Sequence, residues 1–139
     1  MKSFRNSFLS NFYPAPIEDR TGKVWPTSEH AYQGAKTLDE SERERVRSCA
    51  TPAQAKRMGR AVTVRPDWDA VKVRLMTLIV TAKFRQHPEL MKRLRETVPD
   101  VLEEGNHWHD VFWGKCHCAR HDGTGRNELG KILMRIRDE

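Results

Sequence analysis

Three polar residues of one predicted helix offer the first chemistry in this sequence. Glu29, Gln33 and Lys36 stand at positions i, i+4 and i+7, so a helix places an acid, an amide and an amine on one face. Such a trio can line a cleft and give a reaction both a carboxylate and an amine. The same spacing also fits a solvated stripe of weakly paired side chains, which spacing alone favours.

A second group of residues combines aromatic rings with an acid. The run WHDVFWG places Trp108, Phe112 and Trp113 close to Asp110. The rings can stack against a base, and an apolar environment can prepare a carboxyl group for proton transfer. In the alternative interpretation Phe112 and Trp113 are ordinary core and Asp110 caps a turn. The pattern does not separate the two.

Cysteines and histidines crowd one short segment near the C-terminus. Cys116, Cys118 and His121 follow His107 and His109, and thiolates and imidazoles so close together are the ligands that zinc prefers. The Cys-x-Cys spacing differs from the usual Cys-x2-Cys, however, and no second ligand pair lies farther along the chain. The pattern therefore favours a surface loop with free thiols and keeps a zinc site as the alternative.

Two further features point to phosphate. The loop over 123–127 has glycines just before a predicted helix, whose first backbone N–H groups can hold an anion, although glycines before helices are common. Six basic residues surround the third predicted helix and the start of the fourth. They form either a phosphate-binding rim or an ordinary solvated surface. These residues are Lys56, Arg57, Arg60, Arg65, Lys72 and Arg74.

Length and composition limit the class of protein. A chain of 139 residues is the size of one domain, so we predict a single domain over residues 1–139. The net charge of +6 favours a polyanionic partner such as a nucleic acid or a phosphorylated metabolite. No apolar run reaches the length of a membrane span, residues 1–6 show no apolar signal core, and three cysteines cannot all pair. We therefore expect a cytoplasmic protein without a membrane partner.

Hydrophobic periodicity and turn signals predict a helix-rich α+β fold with a small β-sheet. The chain begins with a predicted hairpin, an irregular strand over 8–17 interrupted by Pro14 and Pro16 and a return strand over 23–25. Thr51 and Gln54 form a capping-box pattern at the start of the third helix. The predicted helices cover 28–37, 41–49, 52–59, 67–86 and 88–96 and a segment from 127 onward, and 101–104 is a further predicted strand.

Taken together, these segments resemble the NADAR/YbiA-like N-glycosidase family over essentially the whole chain. Eight motifs match in the same order, among them FLSNFYP, WPTSEHAYQ and the segment ending in LMRIR. The other matching segments include 58–60, 65–68, 83–86, Asp110 with 113–114, and 125–130. Two positions depart from the family pattern. Gly34 stands where relatives usually carry Ala, and glycine inside a helix costs about 1 kcal/mol. His121 stands where Cys-rich relatives carry a third Cys, which leaves the zinc site open.

The resemblance implies cleavage of an N-glycosidic bond at the anomeric carbon of a ribose, without a cofactor. It assigns catalytic roles to Glu29, Lys36 and Asp110 and so brings Glu29 and Asp110 into one pocket. One of the two carboxyl groups then protonates the leaving base nitrogen. Lys36 either binds phosphate as an ammonium or attacks C1 of an opened ribose as a neutral amine. The expected substrate-binding residues are Asn11, Phe12, Gln33, Gly59, Arg60, Trp68 and Trp113.

Members of this family act in two settings, which the sequence does not fully separate. The basic net charge favours ADP-ribosylated guanine in DNA or in a nucleotide as the substrate, with a DNA ADP-ribosyltransferase toxin as the partner whose product is reversed. The alternative substrates are ribosylated intermediates of riboflavin synthesis. A non-catalytic module that binds ADP-ribose or NAD is the competing class.

Overall fold

The computed structural model describes residues 7–139, which form six helices and four strands of two residues each. The prediction from residues 1–6 that no export signal is present lies outside the described residues. The helix-rich α+β class with small sheets is confirmed. The elements in chain order are β1 Ile17–Glu18, β2 Val24–Trp25, α1 Ser28–Ala35, α2 Glu40–Arg47, α3 Pro52–Met58, α4 Trp68–Gln86, α5 Pro88–Arg95, β3 Gly105–Asn106, β4 Lys115–Cys116 and α6 Glu128–Asp138.

The described chain forms two compact units, one of Asn11–Gln86 and one of 7–10 with His87–Glu139. The predicted single domain stays a prediction.

The first unit opens with a short antiparallel hairpin that pairs Ile17 with Trp25. Asp19 organises its turn: one carboxylate oxygen accepts the backbone N–H of Thr21, and the other accepts the indole N–H of Trp25 at 3.0 Å. The predicted strand over 8–17 is wrong, because residues 7–13 form turns and only Ile17 pairs. Prolines at 14 and 16 lack the N–H that a ladder needs.

Helix α1 lies at the centre of this unit and packs against α2, α3 and α4. Thr27 caps it by accepting the N–H of His30, as expected of a threonine before a helix. A Cβ at Gly34 would collide with the ring of Trp25, which explains why glycine stands here despite its cost. Trp25 thereby packs on α1 in a core cluster with Ala31, Val46, Ala55 and Val62.

The predicted helices of this unit are confirmed, with ends that differ by a few residues. Thr51 caps α3 through the N–H of Gln54, but the Gln54 side chain accepts the N–H of Ala50 rather than that of Thr51. The predicted capping box is therefore present only in its first half. The longest helix is α4, and among the described residues neither it nor any other helix is long and apolar enough to cross a bilayer.

The second unit packs α5 against α6 and holds a two-stranded parallel ladder of β3 and β4. No strand spans the predicted range 101–104: the paired strand residues are Gly105 and Asn106, and Leu102 forms only an isolated bridge. The Asn127 side chain donates to the carbonyl of Leu102 and accepts the N–H of Glu104, so an amide serves this segment where a strand neighbour would. Strand β4 was not predicted.

Candidate active site

Helix α1 buries the acid and the amide that the sequence placed on one face. Glu29 is 8% exposed and Gln33 is 4% exposed. The Gln33 side chain donates from Nε2 to Glu29 Oε2 at 2.6 Å. A solvated stripe of weakly paired side chains is therefore excluded for these two residues.

Lys36 ends the same face and is half-buried. Burial lowers the pKa of its amine, the Glu29 carboxylate raises it, and the nearby charges of Arg60 and Lys56 lower it again, for a net value below 10.5. Its carbonyl accepts the N–H of Arg65 at 2.7 Å, which fixes the end of the helix. Lys36 thus has one carboxylate and two cations in its electrostatic surroundings.

Gly59, at the end of α3, lies directly against the side chain of Gln33. A Cβ at this position would collide with Gln33 Oε1, although the backbone φ of −61° is one that any residue adopts. The Oε1 atom is buried and has no hydrogen-bond partner among the described residues. Space, rather than conformational freedom, therefore explains this glycine.

The predicted substrate-binding residues Asn11 and Phe12 occupy the turn that meets the start of α1. The Asn11 carbonyl accepts the N–H of Glu29 at 3.0 Å, and its side-chain oxygen accepts the Ser28 hydroxyl at 2.9 Å. Asn11 is buried and so holds the helix end that carries Glu29. Phe12 is 41% exposed, which leaves much of its ring open to a ligand.

Trp68 and the basic residues lie beside these elements in the same unit. The Trp68 ring lies 5.2 Å from that of Tyr32, tilted by 51°, and remains partly exposed. Arg65 pairs with Asp67 at 2.6 Å and Lys72 with Asp69 at 3.3 Å, so local carboxylates balance these two cations. The predicted basic rim therefore has fewer cations without a carboxylate partner nearby. Its exposed member Arg60 lowers the pKa of Lys36 through its positive charge.

Asp110 and Trp113 belong to the second unit, where Asp110 caps a turn. Its Oδ1 accepts the N–H groups of Phe112 at 3.0 Å and Trp113 at 2.9 Å. Asn106 holds the residue from both sides, accepting its N–H and donating to its carbonyl. The Phe112 and Trp113 rings meet edge to face at 4.9 Å. A common pocket for Asp110 and Glu29 stays a prediction.

The phosphate-binding alternative for the loop before α6 is not supported, because the backbone N–H groups of residues 126–129 already have protein acceptors. The backbone N–H groups of residues 126, 127, 128 and 129 donate to the carbonyls of 111, 114, 112 and 113 respectively. A helix N-terminus binds an anion only through N–H groups that lack another acceptor. This segment instead ties α6 to the aromatic run.

One cluster in the second unit has the donor set of a metal site. The side-chain donor atoms of His109, Cys116, Cys118 and His121 lie within 4.8 Å of one another. Of the two upstream histidines that the sequence left open, the structure selects His109, whereas the His107 ring lies near that of His117.

Sequence reasoning gave no role to Lys83, which is 1% exposed on the buried face of α4. Burial lowers the pKa of its amine to about 7. The ammonium lies 5.8 Å from the centre of the Tyr13 ring and 5.2 Å from that of Phe84. Lys83 follows Val80 by three positions and therefore lies on the same helix face, and this spacing could have indicated from the sequence that Lys83 is buried.

The comparisons with known proteins agree on one family. The model of the NADAR domain family matches residues 1–139. The chain is 42% identical over 133 residues to the N-glycosidase YbiA of Escherichia coli (strain K12), covering 94% of this chain and 79% of the relative. It is also 42% identical over 136 residues to the riboflavin biosynthesis protein VVA0006 of Vibrio vulnificus (strain YJ016), covering 96% of this chain and 35% of that protein.

The solved structures give the same result. The NMR structure of E. coli YbiA superposes with a TM-score of 0.79 at 41% sequence identity and covers 94% of this chain and 75% of that one. The relatives named N-glycosidases show that this chain is a hydrolase that acts on N-glycosyl bonds. The chain belongs to the NADAR domain family.

Proposed function

We propose that this N-glycosidase removes ADP-ribose from ADP-ribosylated guanine in DNA or in a nucleotide. The observation that carries the proposal is the setting of Lys36, an amine of lowered pKa whose charge neighbours are the buried Glu29 carboxylate and the cations Lys56 and Arg60. A carboxylate and an amine can act at the sugar carbon where the bond breaks, and the two cations can bind the pyrophosphate of ADP-ribose.

Hydrolysis begins with stretching of the bond between ribose C1 and the base nitrogen, which builds positive charge on the sugar. The Glu29 carboxylate stabilises that charge, and the Gln33 amide holds the carboxylate in place. The family resemblance makes Asp110 the partner carboxyl group, so that one of the two protonates the leaving nitrogen. Trp68, Trp113 and Phe12 offer rings for the base or the sugar, and Arg60 contacts pyrophosphate.

In the covalent form of this proposal, Lys36 replaces water as the first nucleophile. The sugar ring opens to an imine at C1, the neutral Lys36 amine adds to C1, and the base leaves with the proton that the acid supplies. The resulting Lys36 imine reacts with one water, which releases the free sugar aldehyde and regenerates the amine. The lowered pKa of Lys36 supports this route because it enlarges the neutral fraction.

A second substrate is favoured by a specific comparison. One relative at 42% identity bears the name of a riboflavin biosynthesis protein, so a ribosylated intermediate of riboflavin synthesis is the alternative. The cations beside Lys36 fit the single phosphate of such an intermediate as well. Two phosphates match two flexible cations better than one does, which is our reason for preferring ADP-ribose.

The cellular role follows from the preferred substrate. A protein that removes ADP-ribose from guanine counteracts a DNA ADP-ribosyltransferase toxin, and the proposal therefore includes an antitoxin role in the cytoplasm. The net charge of +6 supports contact with DNA.

The test supplies both substrates to one preparation. An ADP-ribosylated guanine oligonucleotide and the ribosylated riboflavin intermediate are incubated separately with the protein, and released sugar and base are identified by mass spectrometry. Release of ADP-ribose at a rate at least 100-fold above that without enzyme supports the proposal, and release only from the riboflavin intermediate replaces it with the alternative. Thermal protection by ADP-ribose without any product identifies a binding module instead. The Glu29→Gln variant is the control in every arm.

A further inference from the structure

Four side chains of the second unit point their donor atoms at a common centre. His109 Nδ1 lies 3.4 Å from His121 Nδ1, and Cys118 Sγ lies 3.2 Å from His121 Nδ1 and 3.5 Å from His109 Nδ1. Cys116 Sγ lies 4.0 Å from His109 Nδ1. All four atoms are within 4.8 Å of one another.

These separations are those of a tetrahedral zinc site. With ordinary zinc–nitrogen and zinc–sulfur bond lengths, two tetrahedral nitrogens lie about 3.4 Å apart and a nitrogen and a sulfur about 3.6 Å apart. The one measured nitrogen–nitrogen distance and the mean of the three nitrogen–sulfur distances agree with these values. Pairwise hydrogen bonds do not require four donors to share a centre, whereas a bound ion does.

The backbone around the cluster is built to hold these donors. Cys116 exchanges backbone hydrogen bonds across a tight turn, donating to Thr124 at 2.9 Å and accepting from Gly123 at 2.7 Å. The Cys118 carbonyl accepts the N–H of Asp122 at 2.8 Å. The turn therefore fixes both cysteines through main-chain hydrogen bonds that do not depend on a metal.

His109 reaches the cluster from a different segment and at a conformational cost. Its φ of +72° lies in the left-handed region, which a non-glycine residue rarely adopts without a reason. Asn106 holds this bend by accepting the N–H groups of Trp108 and Asp110. A ligand role for His109 supplies a reason for the strained backbone.

We propose that His109, Cys116, Cys118 and His121 bind one structural Zn²⁺ ion. Four protein ligands fill a tetrahedral ion, so no position is open for a substrate or an activated water, and the two cysteines bind as thiolates after releasing their protons. The ion joins the bend over 106–110 to the turn over 116–124. Asp110 directly follows His109, so the metal also holds in place a carboxylate that the family resemblance makes catalytic.

The proposal does not rest on the enzymatic activity, and its test measures metal directly. The protein is expressed in zinc-supplemented medium, purified with a non-chelating phosphine reductant, and assayed by plasma mass spectrometry for zinc per chain. We expect about one equivalent in the wild type. The variants Cys118→Ser and His109→Gln should lose at least 10-fold of the bound zinc.

Matched controls distinguish this site from adventitious binding. Cys49→Ser removes the cysteine outside the cluster, and His107→Gln removes the other upstream histidine, so both should retain the full equivalent. Equal zinc in His109→Gln and His107→Gln would overturn the proposal. So would absence of zinc from a wild-type protein reconstituted anaerobically with ZnSO₄.

Two measurements on the wild-type protein test the zinc site even if the variants fail to fold. Co²⁺ added to the metal-free protein should give the intense visible bands of tetrahedral cobalt together with a thiolate charge-transfer band. With zinc bound, Cys49 should react with a disulfide reagent and Cys118 should be protected, and removal of the metal should make Cys118 reactive while Cys116 stays buried. Octahedral cobalt bands, or a reactive Cys118 in the zinc-loaded protein, would contradict the assignment.

Discussion

Gln33 donates to Glu29 across one turn of α1 at 2.6 Å, while its other amide atom, Oε1, lies buried against Gly59. The amide thus connects the acid on α1 to Gly59, the residue that follows α3. Because Gln33 is 4% exposed and Glu29 is 8% exposed, the orientation of the carboxylate depends on how closely these two helices pack. This relationship makes the geometry of the acid sensitive to changes made outside α1.

Replacing Glu29 by glutamine should stop the reaction and keep the fold. The amide has the shape of the acid and can still accept from Gln33 Nε2, so hydrogen bonding is preserved while the negative charge is lost. We expect single-turnover sugar release to fall at least about 100-fold, with an unchanged circular dichroism melting curve. Glu40→Gln on α2, a carboxylate whose side chain is 75% exposed, is the matched control and should keep wild-type rates. Wild-type-like turnover in Glu29→Gln would remove this acid from the mechanism.

A methyl group at position 59 should disturb the acid through the amide. In Gly59→Ala the backbone is compatible with any residue, but the new Cβ meets Gln33 Oε1 and forces the amide to move. Overpacking of this kind costs about 1–3 kcal/mol, which urea unfolding measures, and we expect sugar release to fall as well.

The double variant Gly59→Ala, Gln33→Ala tests that explanation. With the amide removed, the added methyl group has space, so stability should recover relative to Gly59→Ala even though two residues have changed. If the two losses of stability simply add, the collision is not the cause.

The sequence predicted the first unit better than the second, for identifiable physical reasons. Helices α1 to α3 each follow a residue whose side chain caps the helix, which is a local signal, and the i, i+4 spacing of Glu29 and Gln33 already paired these two. What spacing could not show was their burial, because burial depends on α3 and α4 packing over α1.

The second unit depends on contacts between distant residues that no local pattern reveals. Asn127 supplies the hydrogen bonds that replace the predicted strand at 101–104, and it lies more than twenty residues farther along the chain. The backbone N–H groups at the start of α6, which could have bound phosphate, donate instead to the carbonyls of residues 111–114. This contact also joins segments that are distant in sequence. The identity of His109 rather than His107 in the cysteine cluster required the left-handed bend, which composition does not indicate.

Asp19 should give the hairpin an acid-dependent contribution to stability. Burial raises the pKa of this carboxyl group, but hydrogen bonds from Thr21, Trp25 and Lys23 outweigh it and lower the pKa from 3.8 to about 2. A pKa depressed in the folded state contributes stability that is complete above pH 4 and is lost as the pH falls toward 2. Asp19→Asn should therefore lower the free energy of unfolding by about 1 kcal/mol at neutral pH, after allowance for solvent screening.

The difference between wild type and Asp19→Asn should shrink in urea titrations as the pH is lowered from 5 to 2.5. Asp69→Asn is the control, since its side chain is 93% exposed and its pairing with Lys72 contributes little. A gap between wild type and Asp19→Asn that stays constant over this pH range would contradict the assignment.

The covalent role of Lys36 is testable by trapping its imine. If the neutral amine attacks C1, borohydride added during turnover should reduce the imine and leave the sugar on the protein. Lys83 is the internal comparison, because burial lowers the pKa of this lysine too, to about 7. Peptide mapping should place the added mass on Lys36 and on neither Lys83 nor any other lysine. The yield should rise with pH, with a midpoint lower than that of an ordinary lysine, because burial lowers the pKa of Lys36.

The Lys36→Arg variant separates the two roles of this residue. Guanidinium keeps the positive charge but stays protonated at working pH, so it can bind phosphate and cannot form an imine. A covalent mechanism predicts loss of both turnover and adduct in Lys36→Arg, whereas a phosphate-binding role predicts that the variant keeps much of its activity. Substantial turnover in Lys36→Arg together with no adduct in the wild type would leave Glu29 and Asp110 to activate water directly. An adduct on Lys83 alone would transfer the covalent role to α4.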